Sequence, residues 1–192
     1  MVLSESWFTG EYFETFTGKH FYLLNPRPED VCIEDIAHSL ARTCRYGGHV
    51  RVENYSVAEH SCLMAEYVMG LVASGRYTRL DALEALMHDA GEAYYGDIKR
   101  PIKHEPTISA VLTPIFDRID HVVRGVFGLP WTETTSCKVL DRRIVRDERV
   151  AVMGGSPSDD KSLHPPLGVS IRGLLPNAAE EWFLRLYKEL TE

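Results

Sequence analysis

Cysteine is scarce in this chain and carries no pairing signal. The four residues Cys32, Cys44, Cys62 and Cys137 form no Cys-x-x-Cys pair. Their spacings match no zinc ribbon or finger and suggest no disulfide framework. Cys62 and Cys137 fall in helical-looking segments, where a buried reduced thiol is expected. A reducing, cytoplasmic setting follows as an expectation. A run of ~18 apolar residues is also missing, so no membrane span is predicted. Residues Met1 to Gly10 hold Glu5 and Trp7 in place of the basic start and apolar run of a secretory leader. Sustained period-two alternation is absent, which excludes a large sheet. Repeats and low-complexity tracts are absent as well. Positive charge is in deficit: 21 Lys+Arg against 28 Asp+Glu leave a net charge of −7. That balance argues against a broad basic footprint for polymeric nucleic acid. It leaves room for a small anion, because a local basic pocket fits inside an acidic protein.

What is present suits one soluble domain over residues 1–192. The chain is 44% hydrophobic and 26% charged, an ordinary globular mix. At this length ~70% of the unfolded surface is buried on folding, so neither metal nor disulfide is needed merely to fold. After an N-terminal arm over 1–30, Thr15 to Leu24 mixes aromatics with Gly18 and suggests a short hairpin. Apolar residues then recur at helical spacing from Ile33 to Cys44, before the glycine stop of Arg45-Tyr46-Gly47-Gly48-His49. Ser56-Val57-Ala58-Glu59 reads as a capping box opening a helix to about Ala73. Thr78 to Asp81 is a weaker capping signal for a helix to about Asp89. Gly91, Gly96 and Pro101 interrupt the chain. Helices are predicted from Pro106 to Phe127 and from about Thr132 to Met153. A loop follows over 154–173, then a last helix over 176–191 with Pro176 at its first position. The expected fold is all-α, a bundle of about six helices around a core spanning 33–153, with at most a minor hairpin.

Three places concentrate ionisable residues where apolar ones are expected. His60 shares a helical face with Val57, Met64 and Val68. His88-Asp89 ends the run Leu83-Glu84-Ala85-Leu86-Met87, and such a pair is costly to bury without partners. Asp141 interrupts Val139-Leu140 and Ile144-Val145. Two imidazoles and two carboxylates suit a divalent ion of the Zn, Mn, Co, Ni or Fe class. Neighbouring residues in mid-helix point ~100° apart, so His88 and Asp89 converge only at a helix end, which Gly91 supports. Periodicity leaves the last carboxylate open. Asp141, Val145, Glu148 and Val152 share one stripe, and Leu140, Ile144, Asp147 and Ala151 the next, so Asp141 and Asp147 are both candidates.

The order His60, His88-Asp89, Asp141 resembles the HD-domain phosphohydrolases. A closer resemblance, covering Ile33 to about Met153, is to bacterial 5′-deoxynucleotidases and phage dATP triphosphohydrolases. It rests on Glu34 to Leu40, Arg45 to His49, Tyr55 to Ser61, His88 to Ile98, Pro101-Ile102-Lys103 and Lys138 to Asp141. The family's Lys-x-x-Asp pattern falls on Lys138 to Asp141 and selects Asp141 over Asp147. The resemblance implies a helical HD domain with His60, His88, Asp89 and Asp141 as metal ligands, for Zn, Co, Mn or Mg. It makes Glu92 and Asp97 the catalytic acids, and Arg45 and Lys103 the phosphate-binding positions. Tyr46 stands where the nucleotidases often carry Trp, beside the nucleotide. The resemblance further implies a homo-oligomer, a dimer or larger, and a host-cytoplasmic setting for a phage-encoded member.

Two substrate classes follow from the resemblance, deoxynucleoside monophosphates and triphosphates. Lys99, Arg100 and Lys103 crowd the segment after Gly96-Asp97 and favour the triphosphate, with dATP the preferred expectation and nucleotide-pool control its role. A bound metal polarises a phosphoryl oxygen and brings the pKa of water toward ~7, and Arg offers a bidentate fork where Lys offers a point charge. The alternatives are a 5′-deoxynucleotidase acting on dNMPs, a cyclic-nucleotide phosphodiesterase and a catalytically silent nucleotide-binding module. The expected partner is thus a small deoxynucleotide, with no polymeric nucleic acid and no membrane. His20, His121 and His164 are expected at the surface or in packing, His38 beside the site or in the core, and His49 near the site. The stripe Trp182, Phe183, Leu186 and Leu190 is expected to be core or a subunit contact.

Overall fold

The computed structural model describes residues 11–155 and 164–192. It bears out the mostly helical reading. The long helices are α1 (Ile33–Arg42), α2 (Val57–Val72), α3 (Arg79–Met87), α6 (Pro106–Val126), α7 (Thr135–Ala151) and α8 (Pro176–Thr191). Two single turns, α4 (Glu92–Tyr95) and α5 (Arg100–Lys103), occupy the interruption expected between Gly91 and Pro101. Short 3-10 turns cover Pro28–Asp30 and Arg45–Gly48. The hairpin forms slightly early in the sequence, pairing β1 (Phe13–Glu14) antiparallel with β2 (His20–Phe21), Phe13 opposite Phe21. Part of the loop expected over 154–173 lies outside the described residues. Its described remainder, 154–155 and 164–173, is without helix or strand.

Helix α2 is the central element. Its first nine residues, Val57 to Ala65, are all buried, and it packs against α1, α3, α7 and α8. The stripe Ile36, Ala37, Leu40 and Ala41 of α1 is fully buried, and that helix packs on both α2 and α8. Ala179, Trp182, Phe183, Leu186 and Leu190 of α8 close the far side, so the last helix is core. A single hydrophobic cluster runs from Phe21 to Leu190, with each fully buried large side chain contributing about 1.5–3 kcal/mol. Phe21 anchors the hairpin by stacking on Tyr94, ring centroids 3.9 Å apart. All four cysteines are free, and Cys62 and Cys137 are buried. No helix among the described residues is long and apolar enough to cross a membrane.

The two capping signals exchange strength. Thr78 and Asp81 form the complete box: Thr78 N–H donates to the Asp81 carboxylate at 2.7 Å, and Asp81 N–H to Thr78 Oγ1 at 3.2 Å. At α2 only half of the expected box exists, Glu59 N–H donating to Ser56 Oγ. The Glu59 carboxylate turns away because three better-placed donors take it. The backbone N–H groups of Arg172, Gly173 and Leu174 reach it at 2.7, 3.0 and 2.7 Å. A buried carboxylate needs such partners, and here it ties the segment before α8 to the start of α2.

Candidate metal centre

Three elements bring the ionisable residues together. His60 sits one turn into α2 and is fully buried. His88 is the C-cap of α3, and Asp89 lies in the turn that follows. That helix end lets consecutive residues face one point, as the sequence required. Asp141 comes from the middle of α7. His60, His88 and Asp141 present ligand atoms all within 4.8 Å of one another, a group that can hold a metal ion. His60 Nε2 lies 3.2 Å from His88 Nε2 and 3.5 Å from Asp141 Oδ1. Asp89 Oδ2 lies 3.0 Å from His88 Nε2 and 3.8 Å from His60 Nε2. Asp147 faces elsewhere, accepting from the backbone N–H groups of Leu167 and Gly168.

The donor chemistry fits a cation. His88 Nδ1 sits 2.9 Å from the Ala85 carbonyl, which can only accept, so that nitrogen carries the proton. His60 Nδ1 sits 2.6 Å from Glu148 Oε1. Burial pushes the Glu148 carboxyl up, but Arg45 and His60 outweigh it and hold the group ionised, well below its ordinary range. It too accepts only. With each Nδ1 committed to an acceptor, both Nε2 atoms face the same space, beside two carboxylates, and that is the nitrogen each ring has left for a cation. Such an outer hydrogen bond is the usual companion of a ligating imidazole.

Charge in the group is tightly balanced. Burial opposes a proton on His88, yet the Asp89 carboxylate raises the ring to about 10. Burial raises Asp89, while the charge and hydrogen bond of His88 carry it well below the usual range. Asp141 is also lowered: His60 overcomes the effect of burial. Glu92 goes the other way. Burial, Asp89 and Asp97 push its carboxyl well up, and its buried Oε2 has no hydrogen-bond partner.

The cations expected around the group divide. Arg45 Nη1 lies 3.5 Å from Asp89 Oδ2, and Nη2 donates to Glu148 Oε2 at 3.4 Å. Tyr46 donates its hydroxyl to Glu148 Oε2. Its φ of +57° is the single left-handed non-glycine conformation among the described residues, a strained state that tends to mark functional sites. Lys99 is exposed, and its chain lies across Gly47, in the loop that carries Arg45. Gly47 has φ of +59°, and a Cβ there would displace the end of the Lys99 side chain. The charge of Lys103 acts on Glu92, and its Nζ stands over the rings of Tyr95 and Phe116. Asp97 is half-buried and acts on Glu92. Arg100 is exposed and makes no hydrogen bond or ion pair with the group among the described residues.

Glu148 is the residue that sequence reasoning missed. Its stripe was visible, two turns beyond Asp141, but nothing in the spacing set it apart from an exposed acid. Among the described residues no hydrogen bond, ion pair or ring contact joins the other histidines to the metal group. His38 stacks on Phe16 and meets Glu180, His20 stacks on Tyr12, and His121 stacks on Trp131. His49 and His164 are exposed.

No family model matches the chain. It is 35% identical to "Uncharacterized protein YfdR" of Escherichia coli (strain K12), over 94% of this chain and 96% of that protein. It is also 35% identical to an uncharacterized protein of Rhodobacter capsulatus, over 82% of each. The chain belongs to the family of these proteins.

Proposed function

We propose that this member of the YfdR family is a metal-dependent deoxynucleotide hydrolase of the HD type. We take dATP as the preferred substrate, with deoxyadenosine and tripolyphosphate as products. The observation that carries the reading is a group able to hold a metal ion, with Arg45 on it and two lysines on its neighbours. Arg45 lies beside Asp89, Lys99 crosses the Arg45 loop, and Lys103 acts on Glu92. A triphosphate brings several negative charges into a pocket lined by carboxylates, and these cations offset the repulsion.

Held by His60, His88, Asp89 and Asp141, a divalent ion (Zn, Co, Mn or Mg) would polarise a phosphoryl oxygen and lower the pKa of water. Arg45, its fork taken by Glu148, turns Nη1 toward the group and offers its charge and remaining N–H to non-bridging phosphate oxygens, and Lys99 and Lys103 add point charges. Asp97 orients the attacking water and takes its proton. The water oxygen bonds to the α-phosphorus as the bond from that phosphorus to O5′ breaks. Glu92, its carboxyl kept protonated by burial and by Asp89 and Asp97, gives its proton to O5′.

The exposure of Arg100, away from the group, favours the alternative of a 5′-deoxynucleotidase acting on dNMPs. Parallel incubations with dATP and dAMP, supplied with Mn²⁺ or Co²⁺ and followed by chromatography, test both. Tripolyphosphate from dATP is expected. Orthophosphate from dAMP, with no tripolyphosphate from dATP, would establish the alternative. No turnover of either after metal is added back would leave a nucleotide-binding module.

A further inference from the structure

We propose that Glu148 is the positioning residue that makes His60 a metal ligand, by fixing the imidazole proton on Nδ1 and leaving Nε2 free to bind. The proposal rests on the reading of His60, His88 and Asp141 as a metal group and extends it to a residue outside that group.

Glu148 is fully buried on α7, seven residues and about two helical turns beyond Asp141, which keeps both on one face. Its Oε1 lies 2.6 Å from His60 Nδ1 and accepts from the Tyr55 hydroxyl at 2.8 Å. Its Oε2 accepts from the Tyr46 hydroxyl and from Arg45 Nη2. Arg45 Nε adds an ion pair at 3.2 Å. A buried carboxylate with this many donors has one orientation. The donors come from the loop before α2, from the strained Tyr46 turn and from α2 itself, so the orientation is set by three separate segments.

That orientation decides which nitrogen of His60 is protonated. A carboxylate facing Nδ1 requires a proton there. The other tautomer would aim an N–H at His88 Nε2, 3.2 Å away, and close the space to a cation. The same carboxylate holds Arg45, whose far nitrogen reaches Asp89. One side chain therefore aligns the ligand and fixes how far the guanidinium stands from the group. The four expected ligands cannot do this for themselves, because Asp89 and Asp141 both lie on the Nε2 side.

Long-range ¹H–¹⁵N NMR of the metal-free protein at pH 8 reads the His60 tautomer, and Co²⁺ titration followed by visible absorption reads the site. Wild-type His60 is expected to carry its proton on Nδ1. Glu148→Ala is expected to mix the tautomers and to weaken Co²⁺ binding about 10–100-fold. In Glu148→Gln the amide oxygen still accepts from Nδ1–H, so Co²⁺ affinity is expected to stay within about threefold of wild type. A wild-type His60 protonated on Nε2 overturns the proposal, and that reading requires no variant to fold. So does a Glu148→Ala protein that binds Co²⁺ as tightly as wild type, or a Glu148→Gln protein that is folded by near-UV circular dichroism yet loses Co²⁺ like the alanine variant. Neither readout uses a nucleotide. A failure to hydrolyse dATP would defeat the hydrolase reading alone, and Co²⁺ binding indifferent to residue 148 would defeat this one alone.

Discussion

His60 Nε2 and His88 Nε2 stand 3.2 Å apart, and each ring has committed its other nitrogen to an acceptor behind it. A cation must lie between them, or a proton must take its place. In the metal-free protein the proton resides on His88, raised to about 10 against the effect of burial because Asp89 adjoins it. Metal and proton compete for the same nitrogen. Below about pH 10 a falling pH fills His88 and opposes the metal, so apparent affinity is expected to rise about tenfold per pH unit. Titrations with Mn²⁺ between pH 6.5 and 8.5 check this. Metal at about 100-fold its Kd is expected to stabilise the wild type by about 2.7 kcal/mol, and His60→Ala is expected to abolish that gain in thermal melts.

On the proposed hydrolase reading, Glu92 separates binding from turnover. Its carboxyl is buried with one oxygen unpartnered, and it is not among the ligands. Glu92→Gln keeps the shape and removes the transferable proton. Hydrolysis of dATP is expected to fall about 10²–10⁴-fold while Co²⁺ affinity stays unchanged, as rate and metal titration measured on one sample will read.

Asp120 gives the fold a pH dependence of opposite sign to that of most acids. Burial pushes its carboxyl to about 6, although Tyr95 donates a hydrogen bond at 3.0 Å and Lys103 is near. The raised value means that the folded state holds the proton more tightly than the unfolded chain. The contribution is fully present below about pH 4 and is lost as pH rises through about 6. Asp120→Asn removes that loss. Denaturant unfolding is expected to show the variant gaining about 1–3 kcal/mol on wild type between pH 4 and pH 8.

Glu59 is a structural counterpart to Glu148. Removing its carboxylate strands three backbone donors, from Arg172, Gly173 and Leu174. Glu59→Ala is expected to cost about 3 kcal/mol and to lower the melting temperature by roughly 6–12 °C. Amide hydrogen exchange should quicken first at those three residues.

Much of the fold could be read from apolar spacing because the helices bury clear stripes: Ile36, Ala37, Leu40 and Ala41, and Trp182, Phe183, Leu186 and Leu190. Helix ends were less legible where tertiary contacts competed, as when Glu59 left its cap for the 172–174 backbone. The group of His60, His88 and Asp141 was visible as ionisable residues on apolar faces, and the resemblance separated Asp141 from Asp147. Glu148 was hidden because α7 carries many charges and spacing cannot say which of them meets four donors. The left-handed turn at Tyr46 was hidden too, since tyrosine gives no sign of positive φ and only the following Gly47-Gly48 hinted at it.

The most direct measurement follows dATP by ³¹P NMR in ¹⁸O-enriched water, with Mn²⁺-loaded protein. Attack at the α-phosphorus predicts tripolyphosphate whose terminal phosphorus carries ¹⁸O, with deoxyadenosine unlabelled by mass spectrometry of the same sample and no such product from His88→Ala. Intact dATP under saturating metal, or label appearing on the 5′-hydroxyl of deoxyadenosine, would contradict it.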